Sequence, residues 1–156
     1  MKITNTHIFF YGSCFSNWYS TTFDHDGHTF ANSEQAMMYE KAKLMGDTKS
    51  VEKILKTTNP YLVKKYGREV KPWNEILWQQ NREKIMVDVC FSKFTSSPIL
   101  REVLLETGNL ILVEASPKDR IWGIGLGENY PGIEDPKNWR GLNLLGKSLM
   151  TVRDML

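Results

Sequence analysis

The segment Asn32-Ser33-Glu34-Gln35-Ala36-Met37-Met38-Tyr39-Glu40-Lys41-Ala42-Lys43 constrains this chain more than any other. It reads as the first turns of a helix. A short side-chain oxygen at Asn32 or Ser33 can accept from free backbone N–H groups and cap its start. At 3.6 residues per turn, positions 34, 37, 38, 41 and 45 share one face. Three of these are Met, as a core-facing stripe requires, and the other two are Glu34 and Lys41, a carboxylate and an amine. Charged groups on an inward stripe are costly unless paired or used. The ordinary reading sets the stripe at the edge of the core, with both charged ends snorkelling to water. The functional reading makes the pair part of a site, and the rest of the chain decides between them.

A chain of 156 residues is long enough for one domain with a real core, and a single domain over 1–156 is expected. Hydrophobic residues make up 41% and charged residues 24%, a balance suited to a globular fold. The net charge of +2 does not argue for a nucleic-acid partner by itself, and no basic run is longer than Lys64-Lys65. Cys14 and Cys90 lie far apart, one near a predicted strand and one in a predicted helix. Reduced thiols in a reducing compartment are expected rather than a disulfide framework. Met1-Lys2-Ile3-Thr4-Asn5 is followed by no apolar signal-peptide region, and no apolar run reaches the length of a membrane span. The expected location is the cytoplasm.

Helix dominates the predicted elements. Ile8-Phe9-Phe10-Tyr11 is a short β-favouring run, and residues 23–30 read as a hairpin around Asp26-Gly27, a dipeptide suited to a type I′ turn. The Glu34 helix should end near Gly46. Short helices are expected over Ser50–Leu55 and Pro60–Tyr66. Pro72 can initiate a long helix through about Phe94, with Trp78, Ile85 and Val89 on its stripe and Arg82 beside them. Ser97-Pro98 starts another, which Gly108 can end. Leu110–Glu114 reads as a strand, Ser116–Asn138 as a long loop rich in Gly, Pro, Asp and Asn, and Leu142–Leu156 as an amphipathic helix. Loops of that length are usually functional or mobile. The fold class expected is mainly α (α+β with minor strands), with a short N-terminal hairpin.

Several chemistries lack their motifs. There is no phosphate-binding Gly-x-x-x-x-Gly-Lys-Ser/Thr loop. Gly123-Ile124-Gly125-Leu126-Gly127 is not a dinucleotide fingerprint and leads into a Pro-containing loop. Two readings of it stay open: a flexible loop, or backbone N–H groups brought close to an anionic ligand. His7, His25 and His28 fall outside any zinc spacing, and no nucleophile elbow occurs. Cys14 and Cys90 read as packed small side chains. Of the five tryptophans, Trp78 sits on a helix stripe and reads as core. Trp73, Trp122 and Trp139 lie at a helix start or in and beside the long loop. There they could stack on planar rings or plug the loop onto the core.

Together these pieces resemble the NADAR family, also called YbiA-like. The marks are Phe15-Ser16-Asn17-Trp18, Asp26-Gly27, Ser33-Glu34-Gln35 with Lys41, Gly67-Arg68, Trp73 and Lys93-Phe94. They continue with Leu104-Leu105, Thr107-Gly108, Glu114-Ala115, Asp119 and Trp122-Gly123-Ile124-Gly125. Trp139-Arg140-Gly141-Leu142-Asn143-Leu144-Leu145-Gly146 and Val152-Arg153 complete the series. No single mark is specific, but their order and spacing are. The resemblance implies a mostly helical YbiA-like fold and an N-glycosidase that cleaves a bond between a ribose carbon and a nitrogen. Two substrate classes go with it: ADP-ribose on a nucleobase, in particular guanine in nucleic acid, and phosphoribosylamino intermediates of riboflavin synthesis. It carries catalytic roles onto Glu34, Lys41 and Asp119. Substrate-binding roles fall on Trp73, Trp122 and Asn143, and on Asn17, Arg68 and Gly123 within the same marks. Some relatives place an acidic residue after the Trp-Gly pair, where this chain has Ile124, which leaves the substrate open.

Breaking a ribosyl C–N bond builds positive charge at the anomeric carbon, so the site needs an anion beneath that carbon, a positioned water or nucleophile, and a stabilised leaving nitrogen. Glu34 can supply the anion and orient water. Two roles are open to Lys41: a cation that holds a sugar hydroxyl or phosphate, or, once desolvation lowers its pKa, an amine that attacks the opened sugar as a Schiff base. Asp119 can bind ribose hydroxyls or act as acid or base, and Trp73 and Trp122 can stack on a planar base. The expected partner is ADP-ribose or a phosphoribosyl small molecule, including ADP-ribosylated nucleic acid, with no membrane, metal or redox cofactor involved. A non-catalytic reader of ADP-ribose is the competing class, but it needs no carboxylate under the anomeric carbon.

Overall fold

A computed structural model describes residues 1–156. In chain order the elements are β1 (Lys2–Ile3), β2 (His7–Phe10), β3 (Phe23–His25), β4 (His28–Phe30), α1 (Ser33–Leu44), α2 (Thr48–Leu55) and α3 (Pro60–Arg68). There follow α4 (Glu75–Thr95), α5 (Pro98–Leu105), β5 (Ile111–Glu114), a 3-10 turn at Pro136–Asn138, and α6 (Leu144–Met155). Six helices and a few short strands make the fold mainly helical α+β, as the sequence implies. No helix is long and apolar enough to cross a membrane. The chain forms two compact units, one of Met1–Ser16 with Pro98–Leu156 and one of Asn17–Ser97.

The unit Asn17–Ser97 is built around α1, which contacts α2, α3 and α4. Asn32 is the N-cap: its Oδ1 accepts from the Gln35 N–H at 2.8 Å, which satisfies one of the free donors at the helix start. Every residue from Ser33 to Tyr39 is buried, and Ala42 with them. The helix is therefore enclosed on nearly all sides rather than along one stripe, and Glu34 does not snorkel. Gln35 tolerates this because its polar atoms are spent on backbone. Its Oε1 accepts from Ala31 N–H at 2.9 Å, and its Nε2 donates to the carbonyls of Ile54 and Thr57. Gly67 lets α3 approach: a Cβ there would lie 2.0 Å from the Met38 sulfur.

The β3–β4 hairpin turns at Asp26 and Gly27, with φ of 50° and 76°, the left-handed pair that a type I′ turn requires. Asp26 Oδ2 accepts from the Tyr39 hydroxyl and from Lys43 Nζ, each at 2.7 Å, and ties the turn to α1. Those two bonds hold the Asp26 carboxyl below its ordinary range. The expected start of α4 at Pro72 is corrected. Asn74 caps the helix, its Oδ1 accepting from Leu77 N–H at 3.0 Å, and Pro72 and Trp73 lie in the preceding turn. Similarly, Asp47 caps α2, so that this helix starts at Thr48 rather than at the predicted Ser50.

In the other unit, β2 lies between β1 (antiparallel) and β5 (parallel), with Phe9 opposite Val113. The strand β1 carries too few residues to show a pattern and was not expected. Helix α6 packs on β5 through Gly146, where a Cβ would lie 2.1 Å from the Leu112 carbonyl oxygen. The long stretch after β5 is not loose. Ile124, Leu126 and Ile133 are fully buried with Phe9, Val113 and Ala115, and Trp139 closes over them, donating its Nε1–H to the Ile133 carbonyl at 2.7 Å. Trp139 plugs the segment onto its core.

Candidate active site

Glu34 sits in the first turn of α1 and is only 7% exposed. Its backbone N–H donates to the Asn17 carbonyl at 3.0 Å, which fixes Asn17 against the helix start. The position suits a carboxylate, because the N-terminal end of a helix carries partial positive charge. Two neighbouring polar atoms, Asn17 Oδ1 and Ser33 Oγ, are buried and make no hydrogen bond within the protein. An unsatisfied buried polar atom costs about 1–3 kcal/mol, and both atoms retain the capacity to accept a further hydrogen bond.

Two turns along the same helix, the Lys41 ammonium lies 4.7 Å from the centroid of Trp73 and 5.3 Å from that of Trp78. The two indoles tilt at 53° with centroids 6.1 Å apart. They form an aromatic corner over the amine. Burial is the largest influence on Lys41 and lowers its pKa. Glu34 and Glu75 act in the opposite direction, and Arg68 adds to the lowering. Trp73, 43% exposed, is held by its edge: Nε1 donates to Glu75 Oε2 at 3.0 Å, while Gln79 donates to Glu75 Oε1 at 3.0 Å. Sequence reading missed Glu75 and read Trp78 as core alone. The signal for Glu75 was an acid two residues after Trp73 in the first turn of a helix.

Of the sequence-predicted residues, Glu34, Lys41, Asn17, Arg68 and Trp73 thus belong to the unit Asn17–Ser97. Asp119, Trp122, Gly123 and Asn143 belong to the other. Asp119 Oδ1 accepts from the Ile121 and Trp122 backbone N–H groups at 2.9 and 2.8 Å, so its carboxylate shapes the turn that presents Trp122. Gly123 is where backbones crowd: a Cβ would stand 3.0 Å from the carbonyl oxygens of both Asp119 and Glu114. The N–H groups of Ile124 and Gly125 donate to the carbonyls of Glu114 and Asp119, so those two are spent within the loop rather than aimed at an anion. Ile124 is fully buried, and its identity answers to packing. Asn143 is 1% exposed with φ of 53°. Its Oδ1 accepts from Glu114 N–H and its Nδ2 donates to the Leu112 carbonyl, each at 3.0 Å, which stitches the start of α6 to β5. The amide expected to bind substrate makes these two framework bonds.

Neither Cys14 nor Cys90 forms a disulfide, and burial pushes the Cys90 thiol up to about 12, far from a nucleophile's range. His25 bridges Ser92 Oγ at 2.7 Å and Glu40 Oε1 at 3.0 Å, joining the hairpin to α4 and α1. No group of three or more His, Cys, Asp or Glu side chains is placed to hold a metal ion.

Comparison with known proteins bears on this arrangement. Residues 9–156 match the family model described as the NADAR domain. Protein irg-1 of Caenorhabditis elegans is 45% identical over 129 residues, which cover 81% of this chain and 61% of that relative's own length. N-glycosidase R617 of Acanthamoeba polyphaga mimivirus is 38% identical, covering 97% of this chain and 96% of the relative. A protein of Vibrio vulnificus named riboflavin biosynthesis protein VVA0006 is 30% identical over 90% of this chain and 35% of its own length. The NMR structure of the E. coli protein YbiA superposes with a TM-score of 0.78 at 29% identity, covering 99% of this chain and 86% of that one. The name N-glycosidase borne by the mimivirus relative agrees with the expectation of an enzyme acting on N-glycosyl bonds, and the fold agrees with the expected YbiA-like domain. With its marks in order and its fold matched, the chain belongs to the NADAR domain family.

Proposed function

We propose that this chain is an N-glycosidase that removes ADP-ribose from a modified nucleobase, guanine, in nucleic acid. One observation carries the reading: a buried carboxylate and a desolvated amine on one helix, Glu34 and Lys41, with two indoles over the amine. In the reaction the C1′–N bond breaks and its electron pair leaves on nitrogen, which takes a proton. The Glu34 carboxylate stabilises the cation developing at C1′ and orients a water. The water oxygen bonds to C1′ and gives its proton to Glu34. In the covalent variant the ribose ring opens to a C1′=N imine with the base, the neutral Lys41 amine adds to C1′, the C1′–N bond to the base breaks and the base leaves with a proton; water then adds to C1′ of the lysine Schiff base and releases the amine. Trp73, exposed on one side and fixed by Glu75, supplies a face for a planar base. Asn17 Oδ1 and Ser33 Oγ are acceptors for ribose hydroxyls or the attacking water. Asp119, its carboxylate fixed by two backbone donors, suits hydroxyl binding better than proton transfer.

A second reading, hydrolysis of phosphoribosylamino intermediates of riboflavin synthesis, is favoured by the name of the Vibrio relative. The purified protein, incubated separately with guanine-ADP-ribosylated DNA and with such a phosphoribosylamine, separates them by the base released. Guanine-bearing DNA restored to its unmodified mass supports the first reading; release from the phosphoribosylamine alone supports the second. Tight ADP-ribose binding with neither reaction makes the protein a reader and refutes both.

A further inference from the structure

Helix α3 gathers basic residues that the sequence leaves dispersed. Between residues 47 and 71 there are seven basic and three acidic residues, a local net charge of +4 against +2 for the whole chain. At helical spacing Tyr61, Lys64, Lys65 and Arg68 fall within one arc of α3. All four are exposed, and the buried Val63 and Gly67 lie opposite. At the start of that stripe Tyr61, 72% exposed, packs edge-on against Trp18, itself 38% exposed, with ring centroids 4.8 Å apart. Tyr61 thus keeps most of its surface in solvent at the head of a cationic stripe, and Trp18 leaves part of its own open beside it. Both ends of the stripe adjoin the candidate site. Trp18 follows Asn17, whose carbonyl holds the Glu34 N–H, and the Arg68 charge acts on Lys41.

We infer that Trp18, Tyr61, Lys64, Lys65 and Arg68 form a track for single-stranded nucleic acid: a base stacks on the Tyr61–Trp18 platform while the following phosphates run along the α3 cations. Unpaired bases expose the π-faces that such a platform reads, whereas a duplex hides them. An acidic peptide would use the cations and leave the aromatic pair idle. The track deepens the proposed function, since it names the polymer in which the modified base would be presented, and it rests on that reading only for its purpose. Its binding chemistry needs no catalysis.

The test uses the full chain and unmodified, fluorescently labelled single-stranded DNA and RNA of mixed sequence, with binding followed by anisotropy at several salt concentrations. Three phosphate contacts predict a slope of log Kobs against log salt of about −2. Tyr61→Ala should weaken binding by about tenfold, the scale of one stacked base. Lys64→Glu/Lys65→Glu should flatten the salt slope. Both substitutions lie on exposed positions, and unchanged circular dichroism confirms the fold. Tighter binding of either polymer supports the track and identifies the sugar it prefers. Absence of binding overturns it. So does binding that neither variant changes, or equal binding to duplex, polyglutamate or phosphatidylserine vesicles that Tyr61→Ala leaves intact. A small N-ribosyl substrate, measured alongside, keeps the two ideas apart. Its cleavage by a protein that ignores oligonucleotides refutes the track alone. Oligonucleotide binding through Tyr61 and Lys64/Lys65 without any base release refutes the glycosidase alone.

Discussion

Glu34→Gln should nearly abolish base release while the protein stays folded and binds ADP-ribose. Gln keeps the volume and one acceptor at a position only 7% exposed, and the helix start keeps both its Asn32 cap and the Glu34 backbone bond to Asn17. What disappears is the charge that the proposed reaction uses beneath the anomeric carbon. Loss of one preorganised electrostatic group costs on the order of 10²–10³ in rate. The stability change is small because two effects oppose. Losing the carboxylate's interaction with the helix end costs about 0.3–1 kcal/mol, and relief from burying a charge offsets it. For a chain of this length about 1 kcal/mol corresponds to roughly 3 °C in Tm, so the variant should melt within about 3 °C of wild type. A third readout comes from Lys41. Glu34 raises its pKa, so the variant's amine should titrate at still lower pH than the wild-type one. Base release by chromatography, thermal melting, ADP-ribose titration calorimetry and the pH profile of residual activity measure all four. Full base release by Glu34→Gln ends this mechanism. A collapse of Tm by about 10 °C or more would instead make the carboxylate structural.

The pH profile also decides the role of Lys41. Its pKa lies below the ordinary lysine value of 10.5 because of burial, so a nucleophilic amine makes the rate rise through that lowered pKa, whereas a cationic phosphate ligand makes it fall there. Lys41→Ala should be inactive in the first case and only moderately impaired in the second, as steady-state kinetics will show. Asn143→Ala should lower Tm by about 9 °C or more, since one buried and one half-buried hydrogen bond are lost and Ala is strained in the left-handed backbone. Asn143→Gly, which tolerates that backbone, should recover part of the loss, and a weakened KM with unchanged Tm would return Asn143 to substrate binding. Activity should survive exhaustive chelation, because no three ligating side chains converge; loss with EDTA and recovery with a divalent ion would contradict this.

The parts of the fold that were legible in the sequence are those where a local rule decides. Asn32 can cap only the helix directly after it, and Asp26-Gly27 can make only a few turns. The spacing of Glu34 and Lys41 also comes from helix geometry alone. The illegible parts depend on distant partners. Nothing in Glu75 itself says that it will grip Trp73, because that contact exists only once the chain turns before α4 and Asn74 replaces Pro72 as the start. The Gly-rich 123–127 segment reads as a loose or anion-facing loop from its composition. Its alternation instead sends Ile124 and Leu126 into a core shared with Phe9 and Val113, far away in sequence. Asn143 lies within a family mark and reads as a ligand contact, and its two bonds to the backbone of β5 could not be foreseen from its sequence neighbours. The basic stripe of α3 is invisible as a run and emerges only when positions 61, 64, 65 and 68 are wound onto a helix.

Enclosing α1 on almost every side has a consequence for Lys41. An exposed lysine on a helix would hold its proton at any physiological pH, and substrate would gain nothing from it but a charge. Burial removes solvent from the ammonium, and the indoles of Trp73 and Trp78 return part of that loss. A cation over an aromatic face contributes about 0.5–2 kcal/mol depending on how far it is desolvated. Glu34 and Glu75 also favour the ammonium, while Arg68 opposes them. Burial thus pulls the amine's pKa down while the two carboxylates pull it up, and a ligand would disturb both influences. A phosphate arriving near Arg68 would cancel its opposition and favour the ammonium, whereas a planar base displacing water from Trp73 would deepen the desolvation and favour the free amine. The same side chain can thus act as a cation toward one part of a substrate and as a base or nucleophile toward another. The proposed reaction has a use for either form, whereas Lys43, on the outer face of α1, spends its ammonium on Asp26.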